Sequence, residues 1–280
     1  MEIGGVEFYP LFLGTYKVDA GPVFGIIPKK IWSRKVETDS ENRIMLSINS
    51  LLVIKDNVKA VFDLGFGHKL SDKTLRAYGV EQSISIADAL GEHGFYPSDI
   101  THCILTHLHV DHSGGCTILD NGKIKASLPN ANYYIQEREY DDAISPTSRT
   151  RATYLIENYE PLYETGQLEL VNGMKSITDF ITVYPVDGHV NAMNIIKVET
   201  GSRNVYYPGD LIGQKEMVHP LWNTAYDYYP LKSEENKINL LERCINEDAW
   251  MYFVHDINPG FYTINKNREY DYEAIFIKNI

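Results

Sequence analysis

Thr106-His107-Leu108-His109-Val110-Asp111-His112 is the stretch on which the reading of this chain turns. It compresses three imidazoles and one carboxylate into a short run. His107 and His109 are two apart in an extended segment, so both side chains point the same way. Asp111 and His112 follow as the chain turns at Ser113-Gly114-Gly115. Such a cluster is costly to bury without a cation. One small ion rarely accepts so many closely spaced donors, so two neighbouring divalent cations are expected. Imidazole and carboxylate ligands suit zinc first, with iron, manganese or cobalt as alternatives.

Outward from this stretch, short apolar runs rich in β-branched and aromatic residues alternate with helical patterns. Strands are predicted at Val6 to Phe12, Ile44 to Ile54, Val58 to Phe62, His102 to Thr106, Asn132 to Gln136, Leu168 to Val171, Ile181 to Tyr184, Asn194 to Glu199, Asn204 to Tyr207 and Trp250 to Val254. Helices are predicted at Ser83 to His93, Ser148 to Tyr163 and Glu234 to Asn246. The alternation predicts an α/β layered architecture, read as a single domain over 1–280. Five of the apolar runs deliver an acid or imidazole where they end: Asp63, His107, His189 after Asp187-Gly188, Asp210 after Pro208-Gly209, and His255. Ligands gather at such ends because strands fix geometry while the loops stay open.

The bulk properties agree with an enzyme. The chain has 280 residues, 44% of them hydrophobic, enough for a sizeable core. A net charge of -12 argues against a nucleic-acid binder, which needs a positive surface. It suits a neutral or weakly charged small-molecule substrate, although bound cations would invert the local field. Cys103, Cys116 and Cys244 form no CxxC pair and read as isolated thiols in a reducing compartment. The first residues lack a signal-peptide pattern, and no apolar run approaches the roughly 20 residues that span a bilayer. A cytoplasmic protein with no membrane partner is the expectation.

Together, Asp63-Leu64-Gly65, His107-x-His109-x-Asp111-His112, Gly188-His189, Gly209-Asp210 and His255 resemble the metallo-β-lactamase superfamily, in the family's order. That family includes glyoxalase II-like thioesterases, lactonases and methyl parathion hydrolase-like enzymes. The resemblance implies a four-layer αββα sandwich with the site at the edge between two sheets. It implies one metal on His107, His109 and His189, a second on Asp111, His112 and His255, and Asp210 bridging both. Asp63 matches an acid that supports the histidine loop, and Asp111 one that sits near the attacking water. The implied reaction is hydrolysis by hydroxide shared between two cations, on a carboxylic ester, lactone or thioester. Phosphotriester or phosphodiester hydrolysis is the nearest alternative. A mononuclear iron persulfide dioxygenase or a non-catalytic binding member would be expected to lack ligands that are all present here.

Two departures narrow this expectation. Lactonases of the family carry a tyrosine three residues after the bridging aspartate, where this chain has Gly213. Many members have a second histidine where this chain has Asn194. Beyond the ligands, Phe24, Ile26 and Trp32 are candidates for an apolar acyl pocket or for ordinary core, and the same N-terminal stretch for a homodimer contact. His219 is a candidate for the substrate side, and His68 lies close enough in sequence to reach the pocket. His93 and His102 read as structural. Segments 139–165 and 211–232 are expected to form the lid and pocket walls.

Overall fold

The computed structural model describes residues 1–278, and in it the strand Arg43–Lys55 is buried on both faces from Leu46 to Ile54. Two-sided burial explains why its sequence is nearly continuous in apolar residues instead of alternating. Leu51 and Val53 point to one side, into a core shared with Phe8, Phe62, Val183, Val198 and Tyr207. Leu52 and Ile54 point to the other, into a second apolar body. This period of two is the pleat of the strand.

The first sheet has eight strands. Its order is Glu2–Ile3, Val6–Asp19, Arg43–Lys55, Val58–Phe62, His102–Ile104, Asn132–Gln136 and Leu168–Val171, with Val80–Ser83 paired to Val6–Asp19. The second has seven: Lys175–Ser176, Ile181–Val186, Met193–Val198, Val205–Tyr207, Trp250–Tyr252, Phe261–Arg268 and Asp271–Phe276. Edge-on aromatic pairs join them, Phe8 to Phe261 at 5.7 Å and Phe62 to Tyr207 at 5.6 Å between ring centroids. The helix Ile86–Gly91 packs on the first sheet, and Pro230–Asn246 packs on the second. These layers make the αββα sandwich.

Strand direction places the site. Val58–Phe62, His102–Ile104 and Asn132–Gln136 are mutually parallel, as are Val205–Tyr207 and Trp250–Tyr252. Ile181–Val186 is antiparallel to Met193–Val198, which is antiparallel to Val205–Tyr207, so the first and last run the same way. Within each sheet the ligand-bearing strands therefore finish at one edge. Asn194, which stands where many members of the resembled family have a histidine, pins the two edges together. Its Nδ2 donates to Leu105 O at 2.9 Å, its backbone N–H to Thr106 O at 2.8 Å, and its Oδ1 accepts from Gln136 at 2.9 Å.

Several predicted elements are corrected. The helix expected over 83–93 is only Ile86–Gly91, because Ser83 ends a strand and Ser85 caps the helix by accepting from Asp88 N at 3.1 Å. The helix expected over 148–163 forms only in its second half, as Ile156–Asn158 and Glu160–Glu164. Thr147 N donates to Thr150 Oγ1 at 3.0 Å, and Thr153 Oγ1 to Thr150 O at 2.8 Å, so hydroxyls take the backbone partners that a helix needs. A further helix, Glu137–Ile144, precedes this turn. The C-terminal hairpin of Phe261–Arg268 and Asp271–Phe276 adds two strands beyond those predicted. All three cysteines are buried and unpaired. No helix among the described residues is long and apolar enough to cross a membrane.

Candidate metal centre

His107, His109, Asp111, His112, His189, Asp210 and His255 converge from the ends and following loops of four strands. His107, His109 and His189 form one group whose donor atoms all lie within 4.8 Å of one another; Asp111, His112 and His255 form another, and Asp210 joins His107 and His112 in a third. Asp210 faces both sides. Its Oδ2 lies 3.3 Å from His189 Nε2 and 4.0 Å from His107 Nε2. Its Oδ1 lies 3.0 Å from His255 Nε2 and 3.3 Å from His112 Nε2. Asp111 Oδ2 stands 3.7 Å from both His112 Nε2 and His255 Nε2. Two ligand atoms of a tetrahedral zinc, on bonds of about 2.0–2.1 Å, are separated by about 3.3 Å, close to these spacings.

The far side of each ring fixes which nitrogen is offered. His112 Nδ1 donates to Asp63 Oδ2 at 2.8 Å, His189 Nδ1 to Asp227 Oδ1 at 3.0 Å, and His255 Nδ1 to Ser47 O at 2.9 Å. His107 Nδ1 donates to Thr106 Oγ1 at 3.0 Å, and that hydroxyl donates on to Asp63 Oδ2 at 2.8 Å. Each of these acceptors leaves Nε2 unprotonated and turned inward in the neutral ring. His109 is reversed: its Nδ1 is 3.1 Å from His189 Nε2, and its Nε2 is 3.4 Å from the Tyr228 hydroxyl. The inward atoms His107 Nε2, His112 Nε2, His255 Nε2 and Asp210 Oδ1 are buried without a hydrogen-bond partner. Orphaned buried donors and acceptors are rare in folded proteins, and here they face one another. This donor set fits two divalent cations.

Charge within the cluster points the same way. Burial, reinforced by His112 and His109, pushes the His107 imidazole well below its ordinary pKa. At His112 burial is outweighed by Asp210, Asp111 and Asp63, which hold its pKa well above the usual value. Burial would raise the Asp210 carboxyl, but His255, His112 and His189 outweigh it and keep its pKa well below the carboxylate range. Positive charge at the centre stabilises the buried carboxylates, and cations supply it more strongly than protons do.

His109, Asp111, His189, Asp210 and His255 of the cluster line an open cavity of about 770 Å³, with His107 and His112 buried behind them. Segments 149–153 and 213–228 contribute walls, as expected, joined by residues 16–23 and 76–79 from the first half of the chain. Two candidates are corrected. Phe24 is fully buried against Trp32 and Trp222, at 5.2 and 5.5 Å between ring centroids, and does not line the cavity. His219 lies outside it too, its Nδ1 accepting from Leu221 N at 3.2 Å within its own turn. Trp32 is core, Ile26 is 82% exposed, and His68 bonds to Ser83 O away from the centre. Gly213 does line the cavity, and a Cβ there would stand 3.1 Å from His255 Cδ2.

Other residues enter the site without a signal in the sequence. Asp227 orients His189 from a loop that follows no apolar run. The buried Glu139 accepts from Leu108 N at 2.9 Å and from the Tyr154 hydroxyl at 3.0 Å, holding the loop between His107 and His109. The Tyr16 hydroxyl donates to Asp111 Oδ2 at 3.3 Å from the strand Val6–Asp19.

A family model for the metallo-beta-lactamase superfamily matches residues 44–254, most of the chain. The chain belongs to this superfamily. The matched range holds His107, His109, Asp111, His112, His189 and Asp210, and His255 follows it directly. A probable metallo-hydrolase of Mycobacterium tuberculosis is 26% identical over 271 residues, covering 86% of this chain and 84% of the relative. A probable metal-dependent hydrolase from Staphylococcus aureus has a solved structure that superposes with a TM-score of 0.89, at 28% identity and over 100% of both chains. AidC, a dizinc quorum-quenching lactonase solved in complex with a product, superposes with a TM-score of 0.82 at 20% identity, over 100% of this chain and 97% of that one. At that identity the likeness to AidC shows the fold alone. Metal-dependent hydrolysis is the activity on which family and relatives agree.

Proposed function

We propose that the chain hydrolyses a carboxylic ester, lactone or thioester at a centre of two divalent cations, zinc first among them. The observation that carries this reading is the set of inward-facing, partnerless donors whose cluster opens into a cavity through His109, Asp111, His189, Asp210 and His255. His107 Nε2, His109 Nδ1, His189 Nε2 and Asp210 Oδ2 would hold one cation; His112 Nε2, His255 Nε2, Asp111 and Asp210 Oδ1 would hold the other. When bound, such cations polarise a carbonyl oxygen and lower the pKa of water toward neutrality.

The chain's own residues do the rest. Asp63, Thr106, Asp227 and Ser47 lock the rings so that no reorientation is needed as charge develops. Asp111 lines the cavity, which supports a role in which its carboxylate takes the proton of the attacking water and returns it to the leaving group. The Tyr16 hydroxyl holds Asp111 Oδ2, which limits the carboxylate to one orientation. The centre needs no serine or cysteine nucleophile. AidC, of the same fold, is a dizinc lactonase, which supports a lactone among the candidates.

The test is a panel of lactones, thioesters, aryl esters and organophosphates with zinc-loaded protein. Turnover of a carboxylic substrate, abolished in Asp111→Asn and His109→Ala while both variants stay folded, is the expected result. Near-normal turnover in either variant contradicts the mechanism, and turnover of organophosphates alone contradicts the substrate class.

A further inference from the structure

We propose that the substrate carries a carboxylate or phosphate at the end remote from its scissile bond, received by Arg76 and Arg149 at the cavity mouth. This rests on the hydrolase reading above and adds a substrate class to it. Outside the metal centre, the charged side chains lining the cavity are Lys17, Asp19, Arg43, Arg76 and Arg149. Cations outnumber acids there, in a chain whose net charge is -12.

Three of these charges are already answered on the protein. Lys17 lies 3.7 Å from Asp39 and 3.9 Å from Glu81. Arg43 lies 2.9 Å from Asp39 and 2.7 Å from Glu41. Asp19 accepts from Gly21 N at 2.8 Å and from Asn42 Nδ2 at 2.9 Å. Arg76 and Arg149 differ. The arginines that pair with carboxylates among the described residues are Arg43, Arg138, Arg203 and Arg268. Arg149 gives one N–H to Ala225 O at 2.7 Å, which leaves most of its donor fork free.

Arg76 and Arg149 line the same cavity, and a hydrogen bond links the segments that carry them. The Tyr78 hydroxyl donates to Ala152 O, joining the segment just beyond Arg76 to the segment just beyond Arg149. Lys17 N donates to Gly79 O at 2.8 Å, tying the Arg76 segment to the strand Val6–Asp19, and Ala225, whose O receives the Arg149 N–H, donates its own N–H to Pro22 O at 2.8 Å. The arginines thus stand on a collar of linked segments. A guanidinium fork matches the oxygens of a carboxylate or phosphate. Val23, Leu46, Phe66 and Met217 give the same cavity apolar lining. The ligand that uses all three zones has a hydrolysable carbonyl, an apolar spacer and an acidic end. Screening over about 8 Å at physiological ionic strength weakens the repulsion from the distant net charge, while contact at the rim persists.

The experiment compares two aryl esters of equal acyl length on zinc-loaded protein, nitrophenyl hexanoate and the nitrophenyl monoester of adipic acid. A third ester ending in phosphate shows which oxyacid is preferred. The expected ratio of kcat/KM, acidic over neutral, is about tenfold, or about 1.4 kcal/mol. It should fall toward one in Arg76→Ala and Arg149→Lys, and invert in Arg76→Glu. A wild-type ratio at or below one for both acidic esters, or one that survives Arg76→Glu, overturns the proposal and leaves the hydrolase reading standing. If no ester, lactone or thioester is turned over, the hydrolase reading falls and this one with it.

Discussion

Asp63 shows how one side chain organises the centre. It sits at the end of the strand Val58–Phe62 with a φ of 52°, a conformation that aspartate tolerates better than most residues. Its Oδ1 accepts from Thr106 N at 2.8 Å, while Oδ2 accepts from Thr106 Oγ1 and His112 Nδ1, each at 2.8 Å. In Asp63→Asn an amide group must face at least one of these donors. Zinc affinity is expected to drop about 10- to 100-fold, measured by competition with a chromophoric chelator. Unchanged affinity would mean that Asp63 serves the turn alone. The candidate ligands were legible in the sequence because each one follows a strand or lies in the dense histidine segment. Asp227 and Glu139 were not, since a carboxylate in a loop or on a short helix carries no mark of what it faces. Phe24 and His219 were misplaced because closeness in sequence to a site residue does not aim a side chain.

At the scale of elements, the histidine loop needs glycine where it meets the turn after Val58–Phe62. Leu64 N donates to His112 O at 2.7 Å, and Gly115 N to Gly65 O at 2.9 Å. A Cβ on Gly115 would fall 2.0 Å from Leu64 O, and one on Gly114 would fall 2.2 Å from Phe66 O. Both are collisions with backbone, which cannot swing aside. Gly115→Ala is therefore expected to destabilise the fold by at least about 1–3 kcal/mol and to weaken metal binding, read from denaturant midpoints and zinc titration. An alanine variant with unchanged midpoint and affinity would show that the two loops separate freely. Buried strands were legible from their apolar runs. The segment 148–163 was not, because its apolar spacing fits a helix while Thr147, Thr150 and Thr153 bond locally and break it.

For the whole molecule, burying charge at the centre couples stability to pH. In the metal-free chain, burial pushes the Glu139 carboxyl up to about 8, against the lowering effect of its bonds from Leu108 N and Tyr154. An unfolded glutamate titrates near about 4.3. Between these values the folded chain keeps a proton that the unfolded chain has lost. Stability falls as pH rises through that window, by at most about 1.4 kcal/mol per unit from this group, and its contribution levels off above it. Chelated wild-type and Glu139→Gln proteins, unfolded near pH 5.5 and again near pH 7.5, should differ in slope, with the wild type losing more; parallel behaviour would contradict the assignment. The layered architecture was legible from alternating patterns, whereas the share of the cavity wall from residues 16–23 and 76–79 was not, because those segments lie far in sequence from the ligands. The central claim, a centre of two cations that work together, is tested most directly by titrating zinc into chelated protein while following binding and hydrolysis of a responsive substrate. The account predicts that both saturate at two equivalents per chain. Saturation of both at one equivalent, or hydrolysis that persists without metal, would contradict it.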